Sequence, residues 1–244
     1  MRYAVISDIH GNLEALRSVL GRIAELGADR IVCLGDVVGY NANPNECVDI
    51  VRSEAMTCVL GNHDAAVSGI STPDTFNPHA RQAMFWTRRV ITEDNRRFIA
   101  ALPRELAVQD FFLCHGSIHD TDRYLLSAGD VKDAFALLEG LSGRPLICFF
   151  GHTHAAALYR KRGRTIWSPP DDMVAITADE RYLVNPGAVG QPRDGDPRAA
   201  FLIYDSGEGR LTFHRVGYDI AACQAKVIRA GLPPLLAERL STGW

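Results

Sequence analysis

The sequence predicts an α/β protein built on a parallel β-sheet, and three observations carry that expectation. Short runs rich in Val, Ile and Phe alternate with helical periodicity through the first sixty residues. Five apolar runs along the chain end in polar clusters: Asp8-Ile9-His10, Gly35-Asp36, Gly61-Asn62-His63-Asp64, His115-Gly116-Ser117 and Gly151-His152-Thr153-His154. From residue 156 onward, short strand-like runs separated by Gly, Pro and Asp turns take over. The length of 244 residues suffices for one large domain with a substantial core.

The elements follow in order. Met1 to Ser7 reads as a strand. Asn12 is placed to cap a helix in which Leu13, Leu16, Val19, Leu20, Ile23 and Leu26 recur at helical spacing, and Gly27 stops it. A strand at 31–34, a helix from Pro44 to Arg52 and a strand at 56–60 complete a βαβαβ opening, which implies right-handed crossovers. Residues 65–104 interrupt the alternation. Ser68 to Pro78 reads as a loop, and Phe85, Val90, Phe98, Ile99 and Leu102 mark one or two helices ending at Pro103. Arg81, Arg88, Arg89, Arg96 and Arg97 read first as a solvated helix face. On a second reading the segment caps the active site, with Arg81 and Arg88 holding a non-reacting phosphate. Strands at 105–109 and 111–114, a helix near 130–139 and a strand at 145–150 return the chain to the sheet. Strands at 156–160, 164–168, 173–176, 181–184, 199–205 and 210–216 are expected to form an antiparallel second sheet. A helix at 219–230 and a Pro-led terminal helix close the chain. No repeat, low-complexity tract or linker divides it, so residues 1–244 are expected to be one domain with a helical insertion at about 65–104.

Composition narrows the function. An apolar fraction of 47% and a charged fraction of 23% are ordinary for a soluble globular protein. A net charge of -3 and the lack of a Lys/Arg-rich tract argue against a dedicated nucleic-acid binder. The basic residues are nearly all Arg, with only Lys132, Lys161 and Lys226 as lysines, a bias that GC-rich codon usage explains. The six cysteines form no C-x-x-C pair, and four lie in expected strands, so they read as reduced core residues. No signal-peptide pattern and no apolar run near the ~20 residues of a membrane span are visible, so the expected location is the cytoplasm.

In open α/β sheets, functional residues gather beyond the carboxyl ends of the strands. The five clusters can therefore meet at one point, and their oxygen and imidazole ligands suit two first-row divalent metals side by side. Taken singly, each residue has a plainer explanation. Asp8 or Asp36 serves as a loop or helix cap, Asn62 as a turn former, and His152 with His154 as strand alternation. Those explanations do not account for seven such residues at successive strand ends. His79 and His214 belong to no cluster and read as structural or surface residues.

The ordered set Asp-x-His, Gly-Asp, Gly-Asn-His-Asp, His-Gly-Ser and Gly-His-x-His resembles the calcineurin-like metallophosphoesterase superfamily over nearly the whole chain. The runs Gly35-Asp36-Val37-Val38-Gly39-Tyr40 and Asn185-Pro186-Gly187-Ala188-Val189-Gly190-Gln191-Pro192-Arg193 resemble its small bacterial and archaeal phosphodiesterases, including diadenosine tetraphosphatase-like relatives. The resemblance implies a four-layer α/β/β/α sandwich with two facing mixed sheets. It implies that Asp8, His10 and His154 hold one metal, that Asn62, His115 and His152 hold a second, and that Asp36 bridges them. Two divalent ions per chain are then expected, manganese first, with iron, zinc and nickel as alternatives. A hydroxide between the metals would attack phosphorus, and His63, not a ligand, would protonate the leaving oxygen. Asp64 is expected to satisfy loop amides. Arg193, His119 and Tyr40 are candidate substrate contacts, each with a structural alternative.

The implied function is hydrolysis of phosphodiesters or nucleotide phosphoanhydrides on a small-molecule substrate. A small-molecule phosphomonoesterase and a non-catalytic scaffold on the same fold are the alternatives. A retired site would be expected to lose a ligand or His63, and none is missing. The superfamily's protein serine/threonine phosphatases carry Asp-Arg-Gly where this chain has Gly39-Tyr40-Asn41, which disfavours a phosphoprotein substrate.

Overall fold

The computed structural model describes all 244 residues. In chain order the elements are β1 (Arg2–Ile6), α1 (Leu13–Leu26), β2 (Arg30–Cys33), α2 (Pro44–Ser53), β3 (Thr57–Cys58), α3 (Asn62–Ser68), α4 (Pro78–Val90) and α5 (Glu93–Ala100). They continue as β4 (Glu105–Val108), β5 (Phe111–Cys114), α6 (Ala128–Gly140), β6 (Ile147–Phe149), β7 (Ala156–Arg162), β8 (Thr165–Trp167) and β9 (Met173–Ala175). β10 (Arg181–Pro186), β11 (Ala199–Asp205), β12 (Arg210–Val216), α7 (Ile220–Arg229), α8 (Pro234–Glu238) and a 3-10 turn at Arg239–Ser241 complete the chain.

The local signals act as expected. Asn12 caps α1 by accepting the Ala15 N–H at 3.1 Å, and Gly27 ends it in the left-handed conformation. Ser127 and Asp130 form a reciprocal capping box at the start of α6. Asn62, for which a turn is the plainer alternative, instead opens α3 together with His63, with Gly61 as the N-cap.

The strands form two six-stranded mixed sheets. In the first the order is β3-β2-β1-β11-β12-β9, and in the second β4-β5-β6-β10-β7-β8. The late strands therefore do not build a separate antiparallel sheet. β11, β12 and β9 extend the sheet begun by β1 to β3, whereas β10, β7 and β8 extend the one begun by β4 to β6. Periodicity identifies a strand but not its neighbour, and β11 pairs directly with β1 across most of the chain length.

Alternation along the strands sorts the core into layers. Tyr3 and Val5 of β1 and Val32 of β2 face Phe111, Leu113, Phe149, Tyr182 and Val184 of the other sheet. Ala4, Ile6 and Cys33 point the other way, onto α1, α2, α3 and α5. On the far side, Phe112, Cys148 and Leu183 pack under Val131, Phe135 and Leu138 of α6. Helix, sheet, sheet, helix is thus the stacking order. With both faces covered, the central strands are apolar almost throughout, which is why they read as continuous runs. A fourth cluster joins Tyr40 to α4, α7 and α8, bringing the end of the chain against the βα loop after β2. All six cysteines are buried and unpaired as disulfides. No helix is long and apolar enough to cross a membrane.

Candidate metal centre

Asp8 follows β1, Asp36 follows β2, Asn62 opens the helix after β3, His115 follows β5, and His152 and His154 follow β6. Asp8, His10, Asp36, His152 and His154 all take positive φ, between 48° and 66°. Non-glycine residues there cost about 1–3 kcal/mol each and persist only where the surroundings fix them. The fixing bonds are visible. The Asp8 and His10 N–H groups donate to Gly35 O (3.1 Å) and Asp36 O (2.8 Å). Asp8 O accepts from Gly190 N (2.8 Å), and His154 O accepts from Arg193 N (3.1 Å). Asn185, at the end of β10, donates to Gly151 O at 2.7 Å and Thr153 Oγ1 at 3.0 Å, pinning the loop that carries both late histidines.

The imidazoles show what the centre can hold. The Nδ1 atoms of His10, His115 and His154 lie 3.1, 2.7 and 2.6 Å from the carbonyl oxygens of Val38, Leu34 and Gln191. A carbonyl only accepts, so each Nδ1 carries a proton, and a neutral ring then offers a lone pair at Nε2. His152 is reversed, with Nε2 donating to Asp122 O at 3.0 Å. The free nitrogens face other electron-pair donors. His10 Nε2 is 3.0 Å from His154 Nε2, and Asp8 Oδ1 lies 3.7 and 3.3 Å from the two. His115 Nε2 is 3.2 Å from Asn62 Oδ1. Asp36 Oδ2 spans the halves, 3.5 Å from His10 Nε2 and 3.3 Å from His115 Nε2. Asp8 Oδ1 and Asp36 Oδ2 are buried without a hydrogen-bond donor. Lone pairs crowded together out of water call for a cation, so this donor set fits a metal.

The electrostatics agree. Burial holds His10 and His154 well below the usual imidazole range and lowers His152 to about 3, which keeps these rings neutral. Burial also disfavours charge on His115, yet Asp36 and Asp8 overcome it and raise that ring to about 10. The two carboxylates demand positive charge at that spot. Burial, reinforced by Asp36, lifts Asp8 to about 6.

His63 stands differently. Its backbone N–H donates to Asp36 Oδ1 at 2.8 Å, while its ring packs against His10, Tyr40 and Phe76 at centroid distances of 4.8, 4.7 and 4.6 Å. Burial lowers it to about 4. A group of potential ligand atoms also joins His63 to His10 and Asp36, so geometry alone does not separate acid from ligand. Gly39, at φ 143°, makes room for these rings, since a Cβ there would stand 2.4 Å from His10 Nδ1. A Cβ on Gly61 would meet Asp36 Oδ1 at 2.1 Å. Asp64 takes the loop role: its carboxylate accepts from the Val37, Val38 and Gly61 amides at 3.1–3.2 Å.

A cleft of about 450 Å³ opens beside Asn62, His63 and His152. Tyr40 lies in its wall, as the sequence suggests. Arg193 stacks on the Tyr40 ring at 5.5 Å and donates to its hydroxyl at 3.1 Å and to Gln191 Oε1 at 3.2 Å. His119 does not join the site. The chain turns back between Ser117 and Asp120, leaving His119 exposed on Glu105, 3.1 Å away. Arg88 is spent on the carbonyls of Ala66 and Ser71, and Arg81 is exposed. Phe76, Asp122 and Tyr124 line the cleft and escaped the sequence reading. Each is a lone residue in a loop, with no motif around it to mark it.

A four-layer sandwich with oxygen and nitrogen donors converging at its strand ends defines an α/β protein with a candidate metal site. The sequence pattern of the calcineurin-like phosphoesterase superfamily domain matches residues 1–208, and the chain belongs to that superfamily. It is 37% identical to an uncharacterized protein of Methanocaldococcus jannaschii, over 98% of this chain and 97% of that one. A crystal structure of a metallophosphoesterase from Sphaerobacter thermophilus superposes with a TM-score of 0.85 at 38% identity, covering 100% of this chain and 99% of that chain. A hypothetical protein from Pyrococcus horikoshii shares the fold at a TM-score of 0.83 and 19% identity, covering 100% of this chain and 98% of the other.

Proposed function

We propose that the protein is a dinuclear-metal-dependent phosphoesterase acting on phosphodiesters or nucleotide phosphoanhydrides. One observation carries the reading: Asp36 Oδ2, buried and without a donor, stands between His10 Nε2 and His115 Nε2 at 3.5 and 3.3 Å. A single oxygen shared by two ligand groups fits two cations sharing one ligand. Asp8, His10 and His154 would hold one cation, and Asn62, His115 and His152 the other. The absence of thiolate from the set suits manganese, with iron, zinc and nickel next. When bound, such a pair supplies Lewis acidity and an activated water.

The chain's own residues supply the rest. The carbonyls of Val38, Leu34, Gln191 and Asp122 fix the imidazole tautomers. His63 borders the cleft, and because burial lowers its ring to about 4, a bound phosphate beside it would have to raise that value before the ring gives a proton to the leaving oxygen. The experiment is metal loading followed by elemental analysis and a panel of monoesters, diesters and nucleotide anhydrides. Saturation at two ions with turnover of diesters or anhydrides is expected. Saturation at one ion, or a clear preference for monoesters, would defeat the reading.

A further inference from the structure

The cleft beside His63 has an unusual lining for a site that handles phosphates. No arginine or lysine contributes to it. Aromatic residues flank the metal centre instead. Tyr124 lies over His152 with centroids 3.8 Å apart and planes 26° from parallel, and the residue is 42% exposed, so its second face is free. Phe76 leans on His63 at 4.6 Å, and Tyr40 closes the inner end. Around the rings stand Thr75, Asn77 and Asp122, all exposed and able to meet polar edges. The volume of about 450 Å³ is that of a small-molecule site.

Charge decides what can lie there. A second phosphate would meet the Asp122 carboxylate in the lining, while the nearest cation, Arg193, is already held on the Tyr40 ring and hydroxyl and on Gln191 Oε1. A flat uncharged ring would stack on Tyr124 or Phe76, as bases do on exposed aromatics. Resting on the phosphoesterase reading and on His63 as the proton donor, we infer that the group leaving on the His63 side is an uncharged alcohol bearing a planar ring, such as an aryl or nucleoside group. Tyr124 and Phe76 are the residues that select it. Diesters with such a leaving group are then favoured over substrates whose leaving group is itself a phosphate.

The test compares kcat/KM of manganese-loaded wild type, Phe76→Leu and Tyr124→Ala on three substrates. These are bis-p-nitrophenyl phosphate (ring), glycerophosphoglycerol (no ring) and tripolyphosphate (phosphate leaving group). Each variant should lose roughly 10-fold more on the ring diester than on glycerophosphoglycerol, mostly through KM, which is the scale of one stacked ring. Equal losses on both diesters, or tripolyphosphate as the best wild-type substrate, would overturn the inference. Calorimetry with adenosine and p-nitrophenol tests the slot apart from catalysis. Wild type should bind at least one of them, and Tyr124→Ala should weaken that binding about 10-fold. Turnover without any ring binding would sink the slot alone, whereas ring binding without turnover of any ester would sink the phosphoesterase reading and keep the slot.

Discussion

At the residue scale the centre is a set of lone pairs held by protons placed elsewhere. Each imidazole gives its proton to a backbone carbonyl and turns its free nitrogen inward. In the proposed dinuclear site, Asp36 is the residue on which both halves would depend. Asp36→Asn should therefore lower metal content and activity together, read by elemental analysis and diester turnover on the same sample. His63→Ala separates acid from ligand. As an acid it should retain both ions while turnover falls roughly 10²–10⁴-fold. Loss of an ion would instead make it a ligand, as its place beside His10 and Asp36 permits. The seven proposed ligands were legible in the sequence because strand-end position and residue type coincide at each. For His119 four residues of separation from His115 leave both a site contact and a loop role open, and the turn at Ser117–Asp120 sends it outward.

Elements decide how firmly those residues are held. The loop after β6 carries His152 and His154 at positive φ, and Asn185 on the neighbouring β10 ties it down. Removing such a supporting bond commonly costs 10- to 100-fold in metal affinity. Asn185→Ala should show a loss of that size in a metal titration while the far-ultraviolet dichroism stays unchanged. The insertion gives a contrasting case. Arg88 bonds the carbonyls of Ala66 and Ser71 and does not reach the cleft. Arg88→Ala should lower stability by about 1–2 kcal/mol in a denaturant titration. It should change turnover of a diester and of a dinucleoside polyphosphate by the same factor. Strands and most helices were legible here from periodicity and caps. The partition of the late strands between two sheets was not, because that choice rests on contacts such as Tyr3 with Tyr204, two hundred residues apart.

For the whole molecule, the buried centre sets a pH dependence of stability in the metal-free state. His10, His63, His152 and His154 have lowered pKa values, so between about 6.5 and 4 the unfolded chain binds protons that the native chain refuses. Those four groups make the native state less stable as the pH falls through that range. Asp8 and Asp64, raised to about 6 and 7 by burial, and Asp122, also raised by burial, act oppositely there and offset part of that loss. On the alkaline side His115, raised to about 10, withdraws its contribution as the pH climbs from 6.5 through 10. Thermal melts of chelator-treated protein should peak near pH 6–7 and fall on both sides. A melting temperature that rose steadily from pH 7 to pH 4 would contradict this balance. Manganese should flatten the curve, since bound cations replace the missing positive charge.

The strand order also bears on how the protein is made. β1 lies between β2 and β11, and β10 lies between β6 and β7. A ribosome releasing this chain from its N-terminus would free Asp8 and Asp36 long before β11 exists to complete their sheet. The carbonyl that orients His154 belongs to Gln191, and the one that orients His10 to Val38. A nascent chain halted before residue 191 would thus expose carboxylates and histidines that can catch a stray ion but cannot cage it. If the proposed ligands hold metal, their cage is closed only after residue 191 has been made, and metal loading is coupled to the folding of the later strands.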